Sequence, residues 1–331
     1  MIAIQNSISG FHPQWIAYCE VNNIPFKLVN CYANDLIDNL KGCNSLMWHF
    51  HHGSHKDNLI AKQILFALEH TGFKVFPDFR SAWHFDDKVA QKYMFESINA
   101  PIVPSYVFFD KKVALDWVKE TTFPKVFKLR GGAGSLNVQL VQNEKDAKQI
   151  IQKAFGNGFS KYDAWESLKE RWRKNRMGKI PFWEVIKGLI RLFRAPKYSR
   201  LASKEVGYVY FQDFIADQDS DTRIIVIGHK AFALKRKVRE GDFRASGSSE
   251  FIYTDINLEA IKIAFNVADT LKLQCVGFDF IFNNGQPLIV EISYAFGIEG
   301  SSKCPGYWDN KLNWYEGIIN KEDFMVELLL K

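Results

Sequence analysis

The run Val276–Ser293 constrains the fold more than any other stretch of this chain. Two apolar segments, Val276–Phe282 and Pro287–Ser293, flank a turn marked by Asn-Asn-Gly. One acid interrupts each segment, Asp279 in the first and Glu291 in the second. Carboxylates are rarely buried unless they are paired or bound to metal, so each of these strands must supply its acid with a partner. Glu291 and Ser293 share a face by the two-residue period of a strand. Asp279 joins them only if it lies opposite Glu291. That requires an odd loop such as the three residues Asn284–Gln286, since a two-residue loop would put the acids on opposite faces. In that register two carboxylates converge, with Ser293 adjacent. This suits a Mg²⁺ that keeps water and substrate phosphates as its other ligands. Pairing of both acids with nearby Lys or Arg is the competing reading.

Two further stretches carry charge next to predicted strands. Val126–Lys128 is a strand that runs into Leu129-Arg130-Gly131-Gly132-Ala133-Gly134-Ser135. Glycines let backbone N–H groups turn toward an anion, and a lysine beside them supplies a point charge for phosphate. The order is not that of a P-loop. Arg223, Lys235, Arg236 and Arg244 lie on or beside the strands Thr222–Ile227 and Lys230–Leu234. Arginine forks suit the oxygens of a transferring phosphoryl group, whereas a solvated, charge-protected strand edge is the plainer alternative.

Residues 1–86 alternate strand and helix. Strands are predicted at Ile2–Ile4, Phe26–Val29, Ser45–His49 and Val75–Phe76, with helices at His12–Asn22 and Asp57–Thr71. Such alternation implies a mostly parallel sheet with ligands at the carboxyl ends of its strands. The polar cluster His49, His51, His52, Gly53, Ser54, His55 falls at one such end. We take His49, His51 and His52 as candidate substrate contacts, against the reading that they are ordinary core or surface histidines. After a helix in 87–104, hairpin-rich strands dominate, and Leu258–Leu271 is a helix before the last hairpin.

In this order the three charged stretches resemble the ATP-grasp superfamily, and within it the group of ribosomal-protein S6 glutamate ligase and bacterial glutathione synthetase. The resemblance covers roughly residues 87–300 and is strongest in 208–300. It is carried by Lys235-Arg236 with Arg244-Ala245-Ser246, by Gly277-Phe278-Asp279 with Glu291-Ile292-Ser293, and by Gly297-Ile298-Glu299-Gly300. It implies an α/β plus α+β ATP-grasp fold: a parallel α/β domain in 1–86, then 87–331 with two α+β sub-domains clasping ATP and a lid at about 105–212. Lys88 and Lys128 take the places of the nucleotide-binding lysines. Gly131, Gly132, Gly134 and Ser135 form the phosphate loop. Gln212-Asp213-Phe214-Ile215 resembles the adenine hinge, and Lys235 joins the nucleotide contacts. Arg223, Arg236 and Arg244 are then catalytic, and Asp279, Glu291 and Ser293 hold the metal. Ser246 and Ser293 replace the asparagines usual in this group, and Ser246 is a candidate substrate contact.

The implied activity is an ATP- and Mg²⁺-dependent carboxylate–amine ligation through an acyl phosphate, with Mn²⁺ as an alternative ion. A phosphotransferase and a nucleotide-binding protein with little turnover stay open on the same fold. The expected partners are a small-molecule or glycan-precursor carboxylate and an amine, and no nucleic acid. A homo-oligomer is compatible with the sequence.

The net charge of +6 is local. Residues 160–206 hold 13 Lys/Arg against 5 Asp/Glu, a net of +8 that leaves the remainder near −2. Within this insertion Phe182, Val185, Ile186, Leu189, Ile190 and Phe193 recur at helical spacing opposite Glu184, Lys187, Arg191 and Arg194. The helix either packs its apolar face on the lid, or rests on an anionic membrane or receives a lipid-linked or polyanionic acceptor. Five cysteines without a CxxC pair, and no signal-like N-terminus, point to a cytoplasmic protein, with peripheral contact at the inner membrane surface as the variant.

Overall fold

The computed structural model describes residues 1–131, 137–160, 164–176, 178, 180–193, 204–238 and 250–330. In chain order its strands are β1 (Ile2–Gln5), β2 (Phe26–Val29), β3 (Ser45–Met47), β4 (Lys74–Phe76), β5 (Ser105–Phe108), β6 (Lys125–Lys128), β7 (Val138–Val141), β8 (Val209–Asp213), β9 (Ser220–Ile227), β10 (Lys230–Lys237), β11 (Phe251–Ile252), β12 (Cys275–Asn283), β13 (Gln286–Ser293), β14 (Gly306–Asp309) and β15 (Trp314–Glu316). They belong to two compact units. One comprises Met1–Phe85, Tyr93–Ile102 and Asp217–Lys331, the other Asp86–Lys92 and Val103–Ala216. This division differs from a single boundary at 86/87, because the last third of the chain clusters with the first 85 residues.

The first unit opens with the parallel sheet that the βα alternation predicts, in the order β2-β1-β3-β4. Parallel strands are covered on both faces and therefore read as apolar runs. Accordingly Ile2 and Ile4 pack with Phe11, Trp15 and Phe76 on one side, while Ala3 and Leu46 pack with Trp48 and Leu65 on the other. The sheet order reverses at β1/β3, the kind of switch point where α/β sheets bind ligands. The third strand stops at Met47, two residues before the predicted end. The helix that follows begins at His55, because Ser54 caps it by accepting a bond from the Asp57 amide at 3.3 Å.

The rest of this unit is a seven-stranded sheet in the order β13-β12-β9-β10-β14-β15, with β11 beside β10. Alternation divides its strands between two cores. Ile224, Val226, Ala233, Phe278 and Phe280 pack on the helix Leu258–Leu271. Ile225, Ile227, Phe232 and Leu234 pack with Ile4, Trp15 and the helix Lys321–Leu330. Full burial of each such side chain contributes about 1.5–3 kcal/mol.

The β12–β13 hairpin corrects one expectation. Asn283 pairs with Gln286, so the loop is the two residues Asn284 and Gly285, both at positive φ (49° and 79°). A two-residue loop alone would set Asp279 against Val290. The register shifts between Phe280 and Asp279, however: Phe280 pairs with Ile289 and Asp279 with Glu291. Val290 is the extra residue of a β-bulge, and that insertion brings both acids to one face.

The second unit is an antiparallel sheet in the order β5-β8-β6-β7. The helices Lys111–Glu120 and Glu144–Ala154 cover it through Ala114, Val118, Ala147 and Ile151 against Phe127, Val141 and Phe211. The helices Ala164–Arg176 and Phe182–Phe193 form a pair of their own.

The hairpin turn has a simple test. Gly285 sits at φ 79° with open space where a Cβ would stand, so Gly285→Ala meets no clash and only backbone strain. We expect a loss of about 1 kcal/mol in denaturant unfolding.

Candidate active site

The first unit gathers its charges on one face of the seven-stranded sheet. Register sets Arg223 of β9 beside Asp279 of β12, and Asp279 beside Glu291 of β13. Arg236 of β10 lies beside Asp221 of β9. Arg223 grips Asp279 with two bonds, Nε to Oδ1 at 2.7 Å and a terminal nitrogen to Oδ2 at 2.8 Å. Arg236 does the same to Asp221, with Nε to Oδ1 at 2.7 Å, and reaches Asp279 Oδ2 at 2.8 Å. The charges alternate as Arg223, Asp279, Arg236, Asp221, and Asp279 and Arg236 are only 7% exposed. Burial alone would raise the Asp279 pKa, but Arg223 and then Arg236 outweigh it and hold the carboxyl well below the usual range. Burial dominates at Asp221 and raises its pKa against the pull of Arg236. The two aspartates in turn hold Arg236 firmly protonated against burial.

Ion pairing therefore describes Asp279 as the structure stands. Glu291 completes the same row, and Ser293 lies two residues along the same strand. The Ser293 hydroxyl donates to the Ala295 carbonyl at 2.5 Å and accepts from the Ala295 amide at 3.1 Å, a local turn. The donors here are all oxygen, with one carboxylate from each of two strands. That set fits Mg²⁺, which uses one or two carboxylates and completes its shell with phosphate and water. Among the described residues no group of three or more His, Cys, Asp or Glu is placed to hold an ion. Lys235 separates from this group: alternation along β10 turns it to the opposite face from Arg236. Arg244 and Ser246 lie outside the described residues.

The second unit carries Lys88, Lys128 and Gln212, and joins the last two directly. The Lys88 amide donates to the Arg130 carbonyl at 2.9 Å, which fixes the start of the helix Lys88–Ser97 against the end of β6. Gly131 follows at the point where a Cβ would lie 3.1 Å from Asp86 Oδ2. Lys128 Nζ donates to Gln212 Oε1 at 2.6 Å, and Gln212 Nε2 donates to Ser105 Oγ at 3.0 Å. Asp213 pairs with Lys125 at 2.6 Å. Phe214 and Ile215 follow β8, both half-buried. Gly132, Gly134 and Ser135 lie outside the described residues. Lys125, Ser105 and Asp221 were not singled out from the sequence as site partners. Only strand register reveals them.

The histidines sit at the carboxyl ends of β1 and β3, and they differ from one another. His49 stacks on Phe11 at 4.0 Å, and its Nδ1 accepts from the Phe11 amide at 2.9 Å. Gly10 permits this approach, since a Cβ there would lie 2.3 Å from Nδ1. Burial first, then the neighbouring His12, His51 and His52, push the His49 pKa down to about 3. The ring is neutral at physiological pH, and its buried Nε2 has no hydrogen-bond partner among the described residues. His51 and His52 stack on each other at 4.3 Å. Asp57, counted only as a helix residue from sequence, holds this loop by accepting from the His51 amide at 2.7 Å. Tyr294, next to Ser293, donates its hydroxyl to the Phe50 carbonyl and packs edge-on against His49 at 5.9 Å. The histidine loop is thus tied directly to the strand end that carries Glu291 and Ser293.

Residues 197–310 match the model of a RimK-like ATP-grasp domain. That segment is similar to RimK-like ATP-grasp domains. The ribosomal protein bS6–L-glutamate ligase of Escherichia coli O139:H28 is 32% identical over 104 residues, 30% of this chain and 34% of that protein. The chain therefore spans about a third of the length of the curated relatives it matches. Among solved structures, the RimK domain ATP-grasp protein of Sphaerobacter thermophilus superposes with a TM-score of 0.54 at 13% identity, covering 88% of this chain and 89% of that one. The D-alanine–D-alanine ligase of Bacillus anthracis superposes at 0.56 and 13% identity, covering 90% and 87%. The fold is that of ATP-grasp proteins, and the best-matched ATP-grasp segment contains the Arg223, Arg236, Asp279 and Glu291 face.

Two measurements follow from this geometry. Asp279→Asn removes the charge that Arg223 grips with two bonds and one of the partners of buried Arg236, and should cost about 3 kcal/mol in unfolding experiments, whereas Glu291→Gln should cost much less. Equal losses would contradict the network. The depressed His49 pKa predicts a pH slope. Below pH 6.5 the unfolded ring takes up a proton, while the folded ring stays neutral until about pH 3. Stability is therefore lost as pH falls through this window, by about 2 kcal/mol from this residue between pH 7 and pH 5. His49→Gln should flatten that part of the profile.

Proposed function

We propose that this chain is an ATP- and Mg²⁺-dependent carboxylate–amine ligase that works through an acyl phosphate. The observation that carries the reading is the row Arg223, Asp279 and Glu291 across three adjacent strands, with Arg236 bridging Asp221 and Asp279, inside a RimK-like ATP-grasp domain. Two carboxylates beside paired arginines, Arg236 buried and Arg223 half-buried, are a charge arrangement that suits a metal-bound polyphosphate.

In this proposal Lys88 and Lys128 bind ATP phosphates, with the amides of Gly131 and the glycines after it. The backbone of Gln212–Ile215 faces adenine, and the Lys125–Asp213 and Lys128–Gln212 bonds hold that strand end in place. Asp279 and Glu291 would hold Mg²⁺, with Ser293 beside them, and the ion would neutralise charge on the transferring phosphoryl group. A substrate carboxylate oxygen attacks the γ-phosphorus, the bond to ADP breaks, and an acyl phosphate forms. An amine then attacks the acyl carbon. The carbon–oxygen bond to phosphate breaks, phosphate leaves, and the amine gives up a proton. Arg236, Arg223 and Arg244 are the cations available to steady the charge that develops in these steps. His51 and His52 are proposed substrate contacts. His49 positions their loop. The reaction class resembles what the names of the matched ligases state, and the substrates stay at the level of a carboxylate and an amine.

The test is a panel of amino acids and short peptides supplied as carboxylates and amines. ADP release should require both, and the product should have the mass of the two substrates joined with loss of water. Glu291→Gln should lower turnover by about 10²–10³-fold. Lys128→Ala should raise the KM for ATP more than it lowers kcat. A phosphorylated acceptor without joining, or ATP binding without ADP release, would overturn the reading.

A further inference from the structure

The helix pair in the second unit leaves an apolar surface that its own packing does not use. Val185 of Phe182–Phe193 is 1% exposed, and Gly188 lies so near the neighbouring helix that a Cβ would stand 2.9 Å from Leu168 Cδ1. These two positions define the side that meets Ala164–Arg176. Phe182, Trp183, Ile186, Leu189 and Ile190 occupy a different arc, at three- and four-residue steps, and each is about half exposed. Trp165 and Trp172 on the partner helix are exposed as well. Among the described residues this arc is not covered, whereas Val185 is buried.

The charge around this surface is predominantly positive. Glu184 is the one acid in Phe182–Phe193, and it is tied to Arg171 and to Lys187 at 3.0 Å. Lys187 also sits 3.3 Å over the Trp183 ring. A cavity of about 560 Å³ beside Leu189 combines Trp165, Leu168 and Trp172 with Lys169, Arg173 and Arg176. The segment 160–206 carries a net +8. A second copy of the chain would bring a like charge to this face and be repelled. Tryptophan, branched aliphatics and a rim of lysine and arginine are the composition that enters a headgroup layer.

We infer that the helix pair docks on an anionic phospholipid surface. Phe182, Trp183, Ile186 and Ile190 enter the headgroup–acyl boundary, and the surrounding cations meet lipid phosphates. No helix among the described residues is long and apolar enough to cross a membrane, so the contact is peripheral.

Co-sedimentation of the full chain with vesicles tests this apart from turnover, so its failure leaves the ligase proposal standing. At low salt, binding to phosphatidylglycerol vesicles should exceed binding to phosphatidylcholine vesicles at least about tenfold and fall as salt rises. The double variant Ile186→Glu with Ile190→Glu should lose about tenfold in binding with an unchanged circular dichroism spectrum. Lys187→Gln with Arg191→Gln, which keeps the apolar face, should also weaken it. Ile37→Glu, an exposed apolar site in the other unit, should bind as the parent does. Equal or absent binding to both vesicle types would overturn the inference. So would binding that survives both double variants, or polyglutamate binding as strong as lipid binding and unaffected by the isoleucine changes.

Discussion

The charged face of the seven-stranded sheet depends on the bidentate pair between Arg223 and Asp279. A carboxylate in the middle of a buried sheet is costly in isolation, and its cost is offset only by full hydrogen bonding and opposite charge. Arg223 supplies two of those bonds, and Arg236 supplies a third while holding Asp221. Two aspartates and two arginines make the core of the site neutral overall, so they can stay buried without collapsing into protonated acids. Glu291 then adds a second carboxylate beside this cluster, directly across from Asp279.

The same sheet explains why the N-terminal domain belongs to this site. Its other residues on that face, Ile225, Ile227, Phe232 and Leu234, share a core with β1 and the helix that follows it. Tyr294 extends the connection from the end of β13 to Phe50, in the loop that bears the histidines. A loop tied at its centre presents His51 and His52 in fixed positions, while His49 is spent on packing against Phe11. That division of labour is a property of burial: three histidines of one short run meet three different environments.

Much of this was legible in the chain. Alternating strands and helices in the first 76 residues read correctly as a parallel sheet, and two acids in apolar strands read correctly as facing each other. The loop length did not: Asn284-Gly285 favours a two-residue turn, but nothing in Val290 marks the bulge that lets such a turn still pair the two acids. A three-residue loop without the bulge gives the same final pairing of Asp279 with Glu291. Partners far apart in sequence were also hidden. Lys125 and Asp213 are 88 residues apart, and Lys128 and Gln212 are 84 apart. No local pattern marks such pairs, since strand order across β6 and β8 creates them. Alternation did warn that Lys235 and Arg236, as neighbours on one strand, face opposite ways. Their shared charge masked that warning.

The central claim is that a carboxylate oxygen becomes bonded to phosphorus before an amide forms. Isotope transfer reads this step directly. A substrate carboxylate labelled with oxygen-18 should deliver one labelled oxygen to the phosphate released during amide formation, with ADP as the other product. Phosphate released without label, or label found only in an adenylate, would contradict the account.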